Sequence, residues 1–227
     1  LTDHVNPYVG TGGHGHVFMG ANVPFGMVQV GPTERKMFWD LCSGYRYSWT
    51  YLRGFAHTHL SGTGATDMGD VLLLPVVDRL MSSEDFNHET EDARAGYYAV
   101  TLNKSGIRAE MTATTHAAIH RYTYPDDAEN RFIKLDLDFG LDDDMRHCEC
   151  QRVNENLITG YRYSEGFANQ HYVYFAIRFS EPFEMEQMKR ETATWCMTFP
   201  QKKQPILVKV GISPISVANA IQNLDEE

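Results

Sequence analysis

The sequence predicts a mainly β protein, an antiparallel β-sandwich closed by one C-terminal helix. Three observations carry that expectation. From about Gly96 onward, apolar and polar residues alternate with period two in several separate runs, the pattern of half-buried antiparallel strands. The runs are separated by turn-forming clusters, Asn103-Lys-Ser-Gly106, Pro125-Asp-Asp-Ala-Glu-Asn130 and Val153-Asn-Glu-Asn156, at spacings that suit meander or Greek-key connections. A convincing helical period occurs only at the end of the chain.

The elements follow in order. The first landmark is a glycine- and histidine-rich loop, Gly10-Thr-Gly-Gly-His-Gly-His16, leading into Val17 to Gly26. A polar-aromatic cluster, Phe38-Trp-Asp-Leu-Cys-Ser-Gly-Tyr45, comes next. The most informative stretch runs from His57 to Asp70 and packs histidines, aspartates, hydroxyls and glycines against an apolar run, Val71-Leu72-Leu73-Leu74-Pro75. So many polar groups beside a buried strand need hydrogen-bond partners. An extended His57-Thr58-His59 places both imidazoles on one face, and the segment is expected to hold a polar ligand or another protein surface.

Three strands are then read from alternation. Ile107, Ala109, Met111 and Ala113 face one way and Arg108, Glu110, Thr112 and Thr114 the other. Ile133, Leu135, Leu137 and Phe139 alternate with Lys134, Asp136 and Asp138. Val173, Phe175, Ile177 and Phe179 alternate with Tyr172, Tyr174, Ala176 and Arg178. In the last segment Ser216 is placed as an N-cap, ahead of Val217, Ala220, Ile221 and Leu224 at helical spacing. Its acidic end, Asp225-Glu-Glu227, sits unfavourably at a helix C-terminus, so the helix is expected to continue in a longer chain.

At 227 residues the chain is long enough for one large domain with a substantial core. A content of 42% hydrophobic and 12% aromatic residues fits a globular protein. No apolar stretch approaches the roughly 18 residues that span a bilayer, and no signal peptide is visible at the start. The net charge of −10, from 20 basic and 30 acidic residues, argues against nucleic acid and anionic membrane surfaces as partners. A neutral substrate such as a sugar is compatible with it. Cys42, Cys148, Cys150 and Cys196 would permit three pairings, but their spacing lacks a zinc pattern and a core of this size needs no staples. Free buried thiols are expected, with a bridge at Cys42 worth testing.

The polar segments carry a family resemblance. Asn6-Pro-Tyr-Val-Gly-Thr-Gly-Gly-His-Gly-His16, Pro24-Phe-Gly-Met-Val-Gln29, Trp39-Asp-Leu-Cys-Ser-Gly-Tyr45 and His57-Thr-His-Leu-Ser-Gly-Thr-Gly64 resemble the N-terminal module of glycoside hydrolase family 92. Gly96-Tyr-Tyr-Ala-Val-Thr-Leu102, Glu110-Met-Thr-Ala-Thr-Thr115, Gly166-Phe-Ala168, the run from Tyr174 to Phe183 and Val210-Gly-Ile-Ser213 fit as well. That family comprises calcium-dependent, inverting, exo-acting α-mannosidases. The resemblance implies a sandwich of the galactose-mutarotase, or supersandwich, type over residues 1–213. Residues 214–227 would then begin a linker helix to an (α/α)6-barrel domain that supplies the catalytic acid, the base and most calcium ligands. No catalytic residue is nominated in this chain, because no two of Asp40, Asp67, Asp70, Asp136, Asp138 and Asp142 to Asp144 pair convincingly across a scissile bond. The run Asp142-Asp-Asp144 reads as a solvated loop, and Asp67 and Asp70 as turn caps.

Substrate contacts are expected from Trp39, whose indole offers an apolar face and one donor, from Asp40 beside it, and from Cys42 and Phe167. A core Trp39 that packs while Asp40 caps a turn is the bland alternative, as is a core Phe167. His14, His16, His57, His59 and Asp67 are expected to orient loops around the pocket or at the domain interface. Calcium prefers oxygen ligands, so these histidines are not assigned to a metal. The implied partners are a mannose-containing glycan and the barrel domain of the same polypeptide, and the implied location is periplasmic, cell-surface or secreted. Two competing readings are an autonomous carbohydrate-binding module and a structural scaffold without ligand contact.

Overall fold

The computed structural model describes residues 2–34, 39–189 and 192–227; Phe38, which opens the polar-aromatic cluster, lies outside them. The strands in the first half are β1 (Ala21–Asn22), β2 (Gln29–Thr33), β3 (Tyr51–Leu52), β4 (Gly54–Ala56), β5 (Leu72–Val76), β6 (Glu84–Asp85), β7 (Asp92–Arg94) and β8 (Tyr97–Thr101). There follow β9 (Arg108–Ala113), β10 (Ala117–Thr123), β11 (Arg131–Asp136), β12 (Asp144–Arg152), β13 (Leu157–Glu165) and β14 (His171–Phe179). The last are β15 (Glu184–Gln187), β16 (Thr194–Phe199) and β17 (Ile206–Ser213), before helix α1 (Val217–Glu226).

Two antiparallel sheets face each other. One has the order β1-β2-β4-β5-β11-β16-β15, the other β12-β13-β14-β17-β10-β9-β8-β7, and β3 pairs with β6 at the side. The period-two pattern explains why they close. Ala109, Met111 and Ala113 of β9 and Val173, Phe175, Ile177 and Phe179 of β14 all point inward, with Val208 and Val210 of β17. They meet Val30, Phe55, Leu73, Ile133, Leu135 and Met197 of the opposite sheet in one continuous core. Phe55 of β4 and Tyr122 of β10 stack across the gap with centroids 6.4 Å apart.

Pro75 lies inside β5, where a missing N–H ordinarily disrupts a ladder. Here β4 covers β5 only at Leu73, opposite Phe55, while β11 pairs along its length. The proline therefore falls beyond the end of the neighbouring strand.

Helix α1 packs on the outer face of the eight-stranded sheet. Ala220 and Leu224 are buried with Leu157 and Ala176, and a Cβ at Gly211 would lie 2.4 Å from the Ala220 carbonyl oxygen, so only glycine admits the helix this close. Ser216 caps it as expected, accepting from Asn219 N–H at 3.1 Å. The acidic end is not exposed to repulsion: Asp225 accepts from Arg178 at 2.7 Å and Glu227 from His116 N–H at 2.7 Å.

Register fixes which loops share an end. Ser164 pairs with His171, Asp144 with Glu165, Ala117 with Gly211 and Ala118 with Ala113. The turns at 166–170 and 114–116 and the exit of β17 therefore lie at one end of the eight-stranded sheet. The polar loops of the N-terminal half gather at this same end, since Met27 N–H donates to Thr115 O at 2.7 Å and Ala168 N–H to Asp67 at 2.7 Å.

Candidate functional site

Three loops converge on Trp39, which begins a single 3₁₀ turn, Trp39–Leu41. The indole is 58% exposed, so the core alternative does not hold. Its Nε1–H donates to Gly64 O at 2.8 Å; His16 stands edge-on at 4.2 Å and His14 lies tilted at 5.3 Å. Gly64 adopts φ +66°, and a Cβ there would come within 3.2 Å of His16 Nδ1 and 3.3 Å of Trp39 Nε1. Glycine is thus required by both backbone and contact. The loops are stitched together by Gly62 N–H donating to His16 O at 2.6 Å and Phe18 N–H donating to Ser61 Oγ at 3.1 Å.

Next to the indole, Asp40 is buried and surrounded by nitrogen groups. His14 Nδ1 donates to it at 2.5 Å, His16 Nε2 lies at 3.6 Å and Arg46 Nη1 at 3.3 Å. The His14 hydrogen bond holds the Asp40 carboxyl below its usual range, against the opposing effect of burial and with help from Arg46. Both oxygens are engaged, so Asp40 orients the His14 ring, whose side chain is 72% exposed. Cys42 is also buried, its thiol pushed up by burial. No disulfide joins the cysteines: Cys42, Cys148, Cys150 and Cys196 are all free.

His57 and His59 go elsewhere. His57 lies past the end of β4, and its Nδ1–H donates to Val71 O at 2.6 Å. Its Nε2 therefore accepts from His120 Nε2–H at 2.9 Å, and His120 Nδ1 accepts from Tyr122 O–H at 3.0 Å. His59 Nδ1–H donates to Gln29 O at 2.8 Å, leaving Nε2 to meet the Thr33 hydroxyl at 2.8 Å. Burial pushes both His57 and His59 down to about 4. They are neutral internal struts that share no partner, and neither reaches a surface. β4 ends at Ala56, before His57, so no strand pairing sets the two rings; each is held by its own buried partners.

Asp67 and Asp70 divide two tasks. Asp67 is buried, accepting Met68 N–H at 2.9 Å and Ala168 N–H at 2.7 Å. It pins the turn carrying Phe167, which is 77% exposed and so not a core aromatic. Asp70 is not a turn cap. It accepts from Thr58 Oγ1 at 2.6 Å, from Arg162 at 2.8 Å and from His171 at 2.8 Å. Arg162 is buried in β13 and forks onto Asp143 at 2.6 and 2.9 Å, with Nε–H to Leu137 O at 3.0 Å. The expected solvated Asp142–Asp144 loop is corrected accordingly: Asp143 is buried because it pairs with Arg162. Burial would raise Asp70, but His171 and Arg162 outweigh it and hold the carboxyl low. Burial alone would lower His171, yet its bond to Asp70 leaves it raised. Two carboxylates thus share one guanidinium, and the His171 ring is a further partner of Asp70.

The segment between these groups is strained. Met68 (φ 71°), Val71 (φ 55°) and, nearby, Asp142 (φ 73°) are left-handed without being glycine. A β-branched residue such as Val71 is a true outlier there. Such conformations persist where surrounding contacts over-determine them, as the Asp70 network and the His57 bond to Val71 O do.

Among the described residues, no group of three or more His, Cys, Asp or Glu side chains is placed to hold a metal ion. The oxygens of Asp40, Asp67 and Asp70 are already taken by donors, so these three aspartates do not make a calcium site. Among the described residues, too, no helix is long and apolar enough to cross a membrane.

Comparison with known proteins agrees with the motifs. A family GH92 α-mannosidase of Bacteroides thetaiotaomicron, solved with mannoimidazole, superposes with TM-score 0.93 at 33% identity over 99% of this chain and 34% of that one. An inverting GH92 mannosidase of the same organism shares the fold, with TM-score 0.81, 23% identity and cover of 100% of this chain and 33% of that one. An uncharacterized secreted glycosidase of Arthroderma benhamiae is 35% identical over 138 residues, which is 54% of this chain and 17% of that protein. The chain thus spans about a third of the length of the solved relatives. The pattern of the glycosyl hydrolase family 92 N-terminal domain matches residues 4–213, and the chain belongs to that family.

Proposed function

We propose that this domain forms one wall of the sugar pocket of an exo-acting α-mannosidase, with Trp39 as its stacking face. The observation that carries the reading is an exposed indole whose N–H is already spent on Gly64 O and whose position is fixed by His16. What remains for a ligand is the ring face, suited to sugar C–H groups, and beside it the His14 ring, held by Asp40 for a hydroxyl. The mannosidase relatives support this substrate class.

Catalysis belongs to a companion domain of the same polypeptide, an (α/α)6 barrel reached through α1. Its support is the family and the threefold greater length of the relatives. Calcium, the catalytic acid and the base would be held there. Export from the cytoplasm is proposed from the secreted relative.

The test is Trp39→Ala in the full-length enzyme. Loss of a desolvated stacking contact should lower kcat/KM about ten- to a hundred-fold, roughly 1–3 kcal/mol. Melting should shift little, because the side chain is mostly outside the core. Unchanged kinetics in a folded variant would favour the scaffold reading, and tight mannose binding by the isolated domain would favour an autonomous binding module.

A further inference from the structure

We propose that Glu91 is a positioning residue for the exposed Trp39 and His14 rings, and that with His88 it fastens the two loops that carry them. Its effect on turnover rests on the reading of these rings as a sugar-facing wall; its effect on the loops does not.

Glu91 follows the 3₁₀ turn His88–Thr90, and its side chain is fully buried. A carboxylate taken out of water is costly unless donors replace its hydration. Here they come from its own turn and from three other segments. Tyr45 O–H donates to Oε2 at 3.1 Å, Tyr98 O–H of β8 donates to Oε1 at 2.6 Å, and His88 Nδ1 meets Oε2 at 2.8 Å. The Tyr8 hydroxyl joins them. Burial, followed by the Glu91 charge, pushes Tyr8 up to about 12 and raises Tyr45 and Tyr98 too, so all three phenols keep the protons they donate. His88 Nε2–H donates to Tyr47 O at 2.6 Å, and the His88 ring stacks on the Tyr47 ring at 4.2 Å.

Two of these segments lead to the exposed rings. Tyr45 and Tyr47 flank Arg46, whose Nη1 lies 3.3 Å from Asp40, and Asp40 holds His14. Tyr45 also closes the run that begins at Trp39, where Cys42 N–H donates to Trp39 O at 3.3 Å and Gly44 N–H to Leu41 O at 2.8 Å. On the other side, Thr11 N–H donates to Tyr8 O at 3.1 Å, Tyr47 N–H to Thr11 O at 2.9 Å and Val17 N–H to Gly10 O at 3.2 Å. The loop bearing His14 and His16 is therefore tied to Tyr8 and Tyr47 where it starts. A buried polar network is favourable only when its members are all in place, so satisfying Glu91 requires both loops to be seated at once.

The test uses the full-length enzyme, an aryl α-mannoside and hydrogen–deuterium exchange. Glu91→Gln keeps the shape of the side chain and removes one acceptor. It should speed amide exchange over 10–17 and 39–47 at least about ten-fold and raise KM roughly three- to ten-fold with kcat little changed. In an enzyme already carrying Trp39→Ala and His14→Ala it should add nothing to KM, while the faster exchange persists. Arg131→Met, which breaks a buried pair with Glu181, controls for general destabilisation and should alter neither reading. Should Glu91→Gln not fold, Tyr45→Phe withdraws a single hydroxyl from the same carboxylate and should show the same pattern. Unchanged exchange in both loops, equal changes with Arg131→Met, or KM losses additive with those of Trp39 and His14 overturn the proposal. Faster exchange in both loops with unchanged KM upholds Glu91 as the anchor of the loops and overturns the sugar-facing wall instead.

Discussion

Arg162 shows how single side chains decide this domain's stability. It is fully buried between Asp70 and Asp143, and removing one member of a buried ion pair leaves uncompensated charge, typically costing about 3–5 kcal/mol. Arg162→Met should therefore lower the denaturation midpoint far more than the loss of any exposed arginine, and an effect below about 1 kcal/mol would contradict the network. The histidines set opposite pH signs. His57 and His59 titrate near 4 when folded against about 6.5 when unfolded. Their neutral forms favour folding above pH 6.5, and that contribution is lost as pH falls from 6.5 through 4, about 1–2 kcal/mol each by pH 5. His171 is raised, so its contribution is complete below the unfolded value and lost as pH rises through the folded one. Denaturant titrations from pH 7 to pH 5 should show falling stability, and a flat profile would contradict neutral buried struts at His57 and His59. His171→Gln should remove the decline on the alkaline side.

At the scale of elements, legibility followed periodicity. β9, β11, β14 and α1 stand where alternation and helical spacing put them, because each is long enough for a period to be counted and has one face on the core. The short pairings of the N-terminal half carry no such signal; β1, β3 and β6 are two residues each, and contacts made elsewhere hold them. Trp39 and Phe167 were named as ligand candidates within motifs of the family resemblance, and both side chains are exposed. The buried charges were not, since Asp70 and Arg162 lie 92 residues apart in sequence. One sign was available: Arg162 shares strand parity with Ile158, which faces the core. The helix offers a clean check on local chemistry. Ser216 satisfies a backbone donor that no helical carbonyl reaches, so Ser216→Ala should cost about 1 kcal/mol. A Cβ at Gly211 meets the Ala220 carbonyl, so Gly211→Ala should loosen α1, visible as faster amide exchange along 217–226.

For the whole molecule, the arrangement of carboxylates decides what the domain does alone. Glycoside hydrolysis needs two opposed carboxyl groups, one raised to act as acid and one free to activate water or attack. Asp40, Asp67, Asp70 and Asp143 are committed to His14 and Arg46, to backbone N–H groups, and to Arg162 and His171. Asp136 is pushed up by burial, which suits an acid, but its Oδ1 accepts the N–H groups of Asp138 and Phe139 and faces the Thr194 hydroxyl. What these loops expose is the Trp39 and Phe167 rings and the His14 imidazole. Purified 1–227 should therefore fold into a mainly β domain, read by circular dichroism, and release no mannose from α-mannosides with or without calcium. Adding the rest of the polypeptide should restore turnover, and restoration should be lost in part with Trp39→Ala. Calcium-dependent mannose release by the isolated domain, persisting through controls for contaminating enzyme, would place a catalytic pair among these residues and overturn the division of labour argued for Trp39.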